Sequence, residues 1–583
     1  MHIQFHFQPL PSPLALTAPR TVLMAHTLDE VRPVLQAVEQ ATQAGAYAAG
    51  FVSYEAAPAF DPALAVRPAG NMPLAWFGIF DAATQAAPPH AAHGAAALDW
   101  QPLTTRAQYA ADIATIRAAI AAGATYQVNY TLRLQAAFAG EPAALFQALH
   151  AAQPAPYSAY LDLGHFQILS LSPELFFHRR SHQITTRPMK GTAARGRWAA
   201  DDDANAAQLA ASAKERAENL MIVDLLRNDL GRIAQIGSVR VPDMYALERY
   251  PTVWQMTSTV TATERPGTTL GDVFAALFPC GSVTGAPKIS TMQLIAALET
   301  QPRGVYCGAI GIVLPGGEAI FNVGIRTLVL DLEHQTATYG VGGGITIDST
   351  AEGEYAEVVA KAALLREQSP NFALLETLRL TRGRYRLRGE HMQRFSASAR
   401  YFDIPLDMTQ AQAALDQAAR AIPAGNTVAQ RVRLLVSRQG DITTESVPIL
   451  PVASGVQSVV LVPNAVRRAD RFLYHKTTYR AAYEAARALH PHTFDVLLLN
   501  EDGEATEFTI GNLVVELDGR RWTPPIASGL LGGVLRAVLL RRGAIAERSL
   551  FEADVRRARR MWLINSVRGA VEVRLELADL PHL

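Results

Sequence analysis

The stretch Leu169-Ser-Leu-Ser-Pro-Glu-Leu-Phe-Phe177 sets one carboxylate, Glu174, between apolar strand-like runs, and Thr186-Arg-Pro-Met-Lys-Gly-Thr192 follows with Lys190 before a glycine. A carboxylate and an amine on neighbouring strands can face one pocket. Burial there raises the acid's pKa and lowers the amine's, which suits one to donate a proton and the other to attack as a neutral nucleophile. An ordinary ion pair between strands is the alternative for the same two residues.

More carboxylates follow at helical spacing. In Lys214 to Gly231, Ala217, Leu220, Met221 and Leu225 form an apolar stripe, and Glu218 borders it. Glu354 and Glu357 share one helix face, with Lys361 a further turn along. Carboxylates from separate helices can bind a hard cation such as Mg²⁺, which takes a few carboxylates plus substrate oxygens; a solvated Glu/Lys pair worth roughly 0.2–0.5 kcal/mol is the alternative. Between these helices lie Cys280-Gly-Ser-Val-Thr-Gly-Ala-Pro-Lys288 and Tyr339-Gly-Val-Gly-Gly-Gly-Ile345. Their glycines permit close approach of backbone N–H groups to an anion, although neither is a P-loop or a dinucleotide fingerprint.

A second group lies further on. Tyr474-His-Lys-Thr-Thr-Tyr-Arg480 places Lys476 where a loop meets a helix, and Asp495 to Glu507 reads as strand, turn and strand ending in a carboxylate. Ile510-Gly-Asn512 and Gly529-Leu-Leu-Gly-Gly-Val-Leu-Arg536 are glycine-bearing turns into a strand and a helix. A helix start lined with free N–H groups is a natural phosphate site.

The elements that position these residues need more than one core, because 583 residues exceed what a single core supports. The alternation of helical and β-rich segments reads as an α/β (α+β) chain. Residues 1–103, with β-like runs such as Leu74 to Ile79 and a loop around Pro88 to Ala97, hold little grouped chemistry; 104–368 form a first catalytic region. A helix from Ala351 to Glu367 stops at Gln368-Ser369-Pro370-Asn371, where proline disfavours helix before it, so the boundary falls there and 369–583 form another domain. It opens with a strand, Ala373 to Leu380, a turn at Arg382-Gly383-Arg384 and a return over Tyr385 to Leu387. Lys+Arg and Asp+Glu both total 53, which gives no nucleic-acid or membrane-surface footprint. The amino terminus lacks a signal-peptide pattern and no apolar run suits a bilayer, so a cytoplasmic protein is expected. With two cysteines, Cys280 and Cys307, a disulfide framework is excluded.

Taken in order, Ser-Pro-Glu, Lys-Gly-Thr, Ala-Glu-Asn…Asp-Leu-Leu-Arg-Asn-Asp-Leu, Gly-Ser-Val-Thr-Gly-Ala-Pro-Lys, Ile-Arg-Thr, Gly-Gly-Gly-Ile and Glu-Tyr-Ala-Glu…Lys resemble the chorismate-utilising enzyme family over about residues 104–368. The resemblance implies an α/β sandwich-like domain that binds chorismate. Within the family, lysine before Gly-Thr is found in aminodeoxychorismate synthases and alanine in anthranilate synthases. It therefore implies that Lys190 attacks C2 of chorismate while Glu174 protonates the departing C4 hydroxyl, after which ammonia enters at C4 and expels the lysine. Glu218, Glu354 and Glu357 are implied Mg²⁺ ligands. Arg326, Lys361 and the backbone at Gly342 and Gly343 are implied carboxylate binders, with Thr284 and Tyr339 also beside the substrate. Gln255 departs from a histidine common in the anthranilate enzymes. Neither cysteine has the glycine-flanked context of an amidotransferase nucleophile, so a separate glutamine amidotransferase subunit, or free ammonia, is the expected nitrogen source.

Beyond residue 373, Glu-Thr-Leu-Arg, Glu-His-Met-Gln-Arg, His-Lys-Thr-Thr, Glu507…Gly-Asn-Leu and Leu-Leu-Gly-Gly-Val-Leu-Arg resemble fold type IV pyridoxal-phosphate enzymes, which are built of two α/β subdomains. The resemblance implies that Lys476 holds pyridoxal 5'-phosphate covalently and acts as the base. Glu507 would pair with the pyridine nitrogen, and Arg394 with the backbone at Val534 and Leu535 would hold the phosphate. The family includes aminotransferases as well as 4-amino-4-deoxychorismate lyase. Fusion to a synthase favours the lyase and hence p-aminobenzoate as product; an aminotransferase of other purpose and a non-catalytic docking domain for the glutaminase are the alternatives.

Overall fold

The computed structural model describes residues 1–86, 98–362, 365, 370–423 and 426–576. Contacts divide the chain into two compact units, Met1–Ala194 with Ala206–Ser369, and Arg195–Asn205 with Pro370–Leu583. The loop expected around Pro88 to Ala97, the end of the helix expected to reach Glu367, and the break at Gln368-Ser369 fall largely outside the described residues.

Two antiparallel ten-stranded sheets form the frame of the first unit. One includes Gly285–Ala286, Gln127–Ala137, Thr336–Ile345, Thr327–Asp331, Phe166–Ser172, Tyr157–Asp162 and His2–Phe7 as successive neighbours. The other runs through Met189–Ala194, Val253–Thr263, Gln183–Arg187, Leu175–Arg180, Ala319–Val323, Ala309–Val313 and Tyr47–Val52. The first hundred residues are thus woven into both sheets: His2–Phe7 pairs with Tyr157–Asp162, and Tyr47–Val52 with Ala309–Val313. The β-like run expected at Leu74 to Ile79 is the strand Ala75–Phe80.

Alternation along the strands sorts the apolar side chains into layers. In Tyr47–Val52, Ala49 and Phe51 enter the cluster between the sheets with Phe5, Ile168 and Ile310, whereas Ala48 and Val52 face outward to another cluster. Leu28–Gln43, Ala213–Gly231 and Leu270–Leu277 cover that outer face through Leu35, Leu226 and Phe274. Arg106–Ala121, Pro142–Ala152 and Ala351–Ala362 cover the other sheet, burying Ile116, Phe146 and Val358. The result is an α/β sandwich with helices outside both sheets. The helix Ala213–Gly231 departs from the expected stripe: Asn219, Ile222, Val223, Leu226 and Leu230 are buried, Leu220 is exposed, and Met221 and Leu225 are half-buried. Asn219 draws the face round by one position, since its amide donates to Lys190 O (2.9 Å) and its carbonyl accepts from Ser258 Oγ (2.6 Å).

The second unit holds two α/β layers. A four-stranded antiparallel sheet, Arg384–Tyr385, Leu374–Thr381, Gln430–Val436 and Ile442–Pro448, carries the helices Arg388–Tyr401 and Met408–Arg420 over a core that includes Leu378, Phe395, Leu415 and Leu434. An eight-stranded sheet, parallel where Gln457–Val462 meets Asp495–Leu499 and Gly569–Leu575, forms the other layer. The return strand expected to reach Leu387 ends at Tyr385. Leu387 takes a left-handed conformation (φ 55°) that turns the chain into Arg388–Tyr401. Among the described residues, no helix is long and apolar enough to cross a membrane.

Phe177 anchors the first unit: it is fully buried and stacks on Phe321 at 5.1 Å, with Phe274 edge-on at 5.5 Å. Phe177→Ala should destabilise this unit by about 3–5 kcal/mol, measured as a shift of its unfolding transition to lower urea concentration.

Candidate active sites

In the first unit, a cavity of about 490 Å³ takes in Glu174, Lys190, Glu218, Glu354, Glu357, Arg326, Lys361, Tyr339, Gly342 and Gly343 along its walls. Thr284 is not among the lining residues; it is fully buried, and its hydroxyl donates to Cys280 O at 3.2 Å. Glu174 and Lys190 do not sit on neighbouring strands, because Gln183–Arg187 and Val253–Thr263 lie between theirs in the sheet. They meet over a strand end instead. Glu174 directly precedes Leu175–Arg180, and its carboxylate accepts from the Met189 backbone.

Burial pushes the Glu174 carboxyl up to about 7, against the opposing pull of a 2.7 Å hydrogen bond from Ser282 Oγ and of the Met189 N–H. Lys190 Nζ lies 3.1 Å from Glu218 Oε2. The amine also hangs over Gly344, where a β-carbon would fall 2.7 Å from Nζ. One residue earlier, a β-carbon on Gly343 would stand 3.3 Å from Glu354 Oε2 and 3.4 Å from Glu357 Oε1. These glycines are therefore vacant ground on which the charged groups converge.

Strand pairing explains the available backbone. Thr336–Ile345 pairs with Gln127–Ala137 along its whole length, but with Thr327–Asp331 only as far as Tyr339. From Gly340 onward one edge of this strand is open, so alternate backbone groups face the cavity. Lys361 Nζ donates to Gly342 O (2.8 Å) and pairs with Glu357 at 2.7 Å. Burial opposes ionisation of Glu357, yet the Lys361 charge holds it below its ordinary value; burial raises Glu354. Arg326, at a left-handed φ of 49°, makes no salt bridge among the described residues, and burial lowers its pKa. Two further lining residues went unread in the sequence. Glu215, whose carboxyl burial and Glu218 raise, adds a fifth carboxylate to the lining, and Ser282 holds Glu174. Glu215 stands one turn before Glu218, the spacing that would have revealed it. Gln255 donates to Gly191 O and accepts from Thr192, each at 3.0 Å, which holds the backbone beside Lys190.

In the second unit, Lys476 lies in the loop between the short helix Arg471–Leu473 and the helix Ala481–Ala488. Its carbonyl accepts from Leu375 N (2.9 Å) and Thr477 bridges Leu374, so the loop is stitched to a sheet strand. Burial and the Arg394 charge push the Lys476 amine down to about 8. Burial pushes Glu507 up to about 7, and three donors surround its carboxylate: Tyr483 Oη at 2.8 Å, Leu531 N at 2.9 Å and Asn512 Nδ2 at 3.0 Å. Arg394 forks onto Glu376 with two bonds of 2.8 Å and donates to Gly532 O at 3.2 Å. Val534 and Leu535 open the helix Val534–Arg541, whose N-cap, Gly533, supplies no side-chain acceptor. Its first-turn N–H groups thus lack a side-chain cap.

Glu376, which opens the Glu-Thr-Leu-Arg motif but carried no assigned role, is 1% exposed and also accepts from His391 Nδ1 at 2.6 Å. Burial works to raise its pKa, but Arg394 and His391 together pull it down to about 2. Removing the guanidinium leaves that buried carboxylate with His391 as its one partner, so Arg394→Ala should destabilise the second unit by about 3–5 kcal/mol at neutral pH. In the wild type the contribution is complete above the unfolded-state pKa of about 4.3 and is lost as pH falls toward 2. Urea titrations of both proteins at several pH values check the sign.

Residues 14–367 match the family model for chorismate binding enzymes, and residues 373–575 that for class IV aminotransferases. Aminodeoxychorismate synthase component 1 of Escherichia coli (strain K12) is 42% identical over 275 residues, covering 46% of this chain and 59% of that protein. Anthranilate synthase component 1 1 of Haloarcula marismortui is 41% identical over 261 residues, covering 45% of this chain and 53% of that protein. The chain thus spans less than two thirds of the length of these curated relatives. Among solved structures, anthranilate synthase component I from Streptococcus pneumoniae TIGR4 superposes with a TM-score of 0.54 at 26% identity, covering 61% of this chain and 93% of that one. The family match takes in more than half of the chain, and the cavity lies within it: the protein belongs to the chorismate-binding enzyme family and carries a class IV aminotransferase domain after it in sequence.

Proposed function

We propose that the first unit aminates chorismate to 4-amino-4-deoxychorismate and that the second eliminates pyruvate from that product to give p-aminobenzoate. The observation that carries the reading is Lys190 in the cavity beside a buried acid. Lys190 Nζ, 3.1 Å from Glu218 and facing the cavity, is placed to attack C2 of chorismate as the free amine. Glu174, half-protonated at about pH 7, delivers a proton to the C4 hydroxyl as it leaves. Ammonia then adds at C4 and the Lys190 amine departs from C2. Arg326 and the open strand edge at Gly342 and Gly343 offer charge-assisted and backbone hydrogen bonds to the substrate carboxylates. The component 1 relatives support a separate glutamine amidotransferase as the source of ammonia.

Among the described residues no three carboxylates stand close enough together to hold an ion as they are, because Glu218 pairs with Lys190 and Glu357 with Lys361; a hard cation would need Glu218 to swing toward the Glu354 and Glu357 pair. Glu354 and Glu357 converge on the space above Gly343, and Glu218 and Glu215 line the same cavity. Mg²⁺ held there would offset the negative charge of a substrate carboxylate. In the second unit the donor set fits pyridoxal 5'-phosphate: a partly buried lysine, a buried carboxyl wrapped by donors, and an uncapped helix start beside Arg394. Bound there, the cofactor would supply an electron sink, with Glu507 toward its ring nitrogen and Arg394, Val534 and Leu535 toward its phosphate. The Lys476 amine, lowered to about 8 and so carrying a minor but accessible free-base fraction at physiological pH, takes the C4 proton of the substrate, and pyruvate leaves as the ring becomes aromatic.

Purified protein given chorismate, Mg²⁺ and ammonia should form p-aminobenzoate; accumulated 4-amino-4-deoxychorismate would remove the lyase step, and anthranilate would overturn the role of Lys190. Lys190→Ala should lose amination while retaining chorismate binding by calorimetry. The acid form of Glu174 is the active one, so amination should decline as pH rises through about 7. The Ser282 hydroxyl stabilises the carboxylate, so Ser282→Ala should move that limb to higher pH, read from the pH profile of chorismate consumption.

A further inference from the structure

A short segment from far upstream in the chain packs against the residues that precede Lys476. Arg195–Asn205 clusters with the second unit. Arg195 forks onto Asp202 with bonds of 2.7 and 2.8 Å, both side chains being under a tenth exposed. Asp202 also accepts from Gly196 N at 2.9 Å, closing a tight clasp at the start of the helix Ala199–Ala211. Only glycine suits position 196, since a β-carbon there would fall 2.0 Å from Asp202 N.

The clasp grips Tyr401. Tyr401 Oη donates to Gly196 O (2.7 Å), Arg195 donates to Tyr401 O (3.1 Å), and the Arg195 guanidinium lies 4.5 Å above the Tyr401 ring. The other face of that ring meets His475, with centroids 4.3 Å apart. His475 in turn shares a 2.9 Å hydrogen bond with Ser398 through Nδ1. Beside it, Trp198 packs on Tyr474 with centroids 5.1 Å apart. Tyr474 and His475 are the two residues directly before Lys476.

We infer that Asp202, through the Arg195–Gly196 clasp and Tyr401, is a positioning residue for Lys476 in the lyase reaction, so that the cofactor site of the second unit includes a piece of chain interposed between Lys190 and Glu215. Tyr401 and His475 form a stack with one side fixed by the clasp and the other running into the Lys476 backbone. Loosening the clasp frees the stack and lets the lysine loop shift. The inference rests on the cofactor reading above.

The test is titration of cofactor-free full-length protein with pyridoxal 5'-phosphate, followed by absorbance, alongside the pH dependence of the bound chromophore. Asp202→Ala should weaken binding at least tenfold and shift the chromophore's apparent pKa, while amination of chorismate persists. Tyr401→Phe, which removes one hydroxyl and keeps the ring, should move both readouts in the same direction by a smaller amount. Asp203→Ala, whose partner Arg400 is an exposed pair at 3.3 Å, should match the wild type. Unchanged affinity and pKa in both Asp202→Ala and Tyr401→Phe would overturn the inference while leaving the cofactor reading intact. A wild-type chain that binds no pyridoxal phosphate would overturn both.

Discussion

A strand almost without side chains is what the first site depends on. Between Gly340 and Gly344 only Val341 carries a side chain, and the positions of β-carbons on Gly343 and Gly344 fall within van der Waals distance of Glu354, Glu357 and Lys190. Any larger residue there would push apart the charges that the cavity gathers. The same glycines leave a bare edge once pairing with Thr327–Asp331 ends at Tyr339. Hydrogen-bond capacity and room for a ligand thus arise from one sequence feature.

Desolvation acts in both units, and it moves acids and amines toward each other. Glu174 and Glu507 are both raised to about 7, and Lys476 is lowered to about 8. Groups with such values exchange protons near neutrality at little cost, which an exposed carboxylate or lysine does not. Glu376 is the counter-case: equally buried, it is held near 2 because Arg394 and His391 both reach it. Burial is common to all three; Glu376 differs in that Arg394 and His391 bond its carboxylate directly, whereas Lys476 and Arg480 act on Glu507 only through space.

Placement that follows from type and local spacing was legible in the sequence. Glu354, Glu357 and Lys361 were placed on one helix face, Glu174 and Lys190 toward one pocket, and Glu218 at the border of a helix stripe; all six line one cavity. What stayed hidden depends on tertiary pairing. The stripe on Ala213–Gly231 was misplaced because Asn219, polar by type, is buried for its hydrogen bonds to Lys190 O and Ser258. Glu376 stood in the Glu-Thr-Leu-Arg motif without a role, and Tyr483 gave no sign, since their partners Arg394 and Glu507 lie elsewhere in sequence. Thr284, placed beside the substrate by its motif, turns its hydroxyl into the protein. The α/β class followed from periodicity, whereas the excursion of Arg195–Asn205 into the second unit has no local signature at all.

That excursion sets an order of events during synthesis. Nearly 200 residues separate Asp202 from Tyr401, so at roughly 5–20 residues per second the segment leaves the ribosome some 10–40 s before its partner ring exists. Over that interval Trp198 has no Tyr474 to pack on. The first unit must close around a loop whose apolar side chain is still waiting, and the second cannot finish until it finds that loop. Co-translational folding is therefore asymmetric: the second unit waits on a stretch of chain translated in the middle of the first.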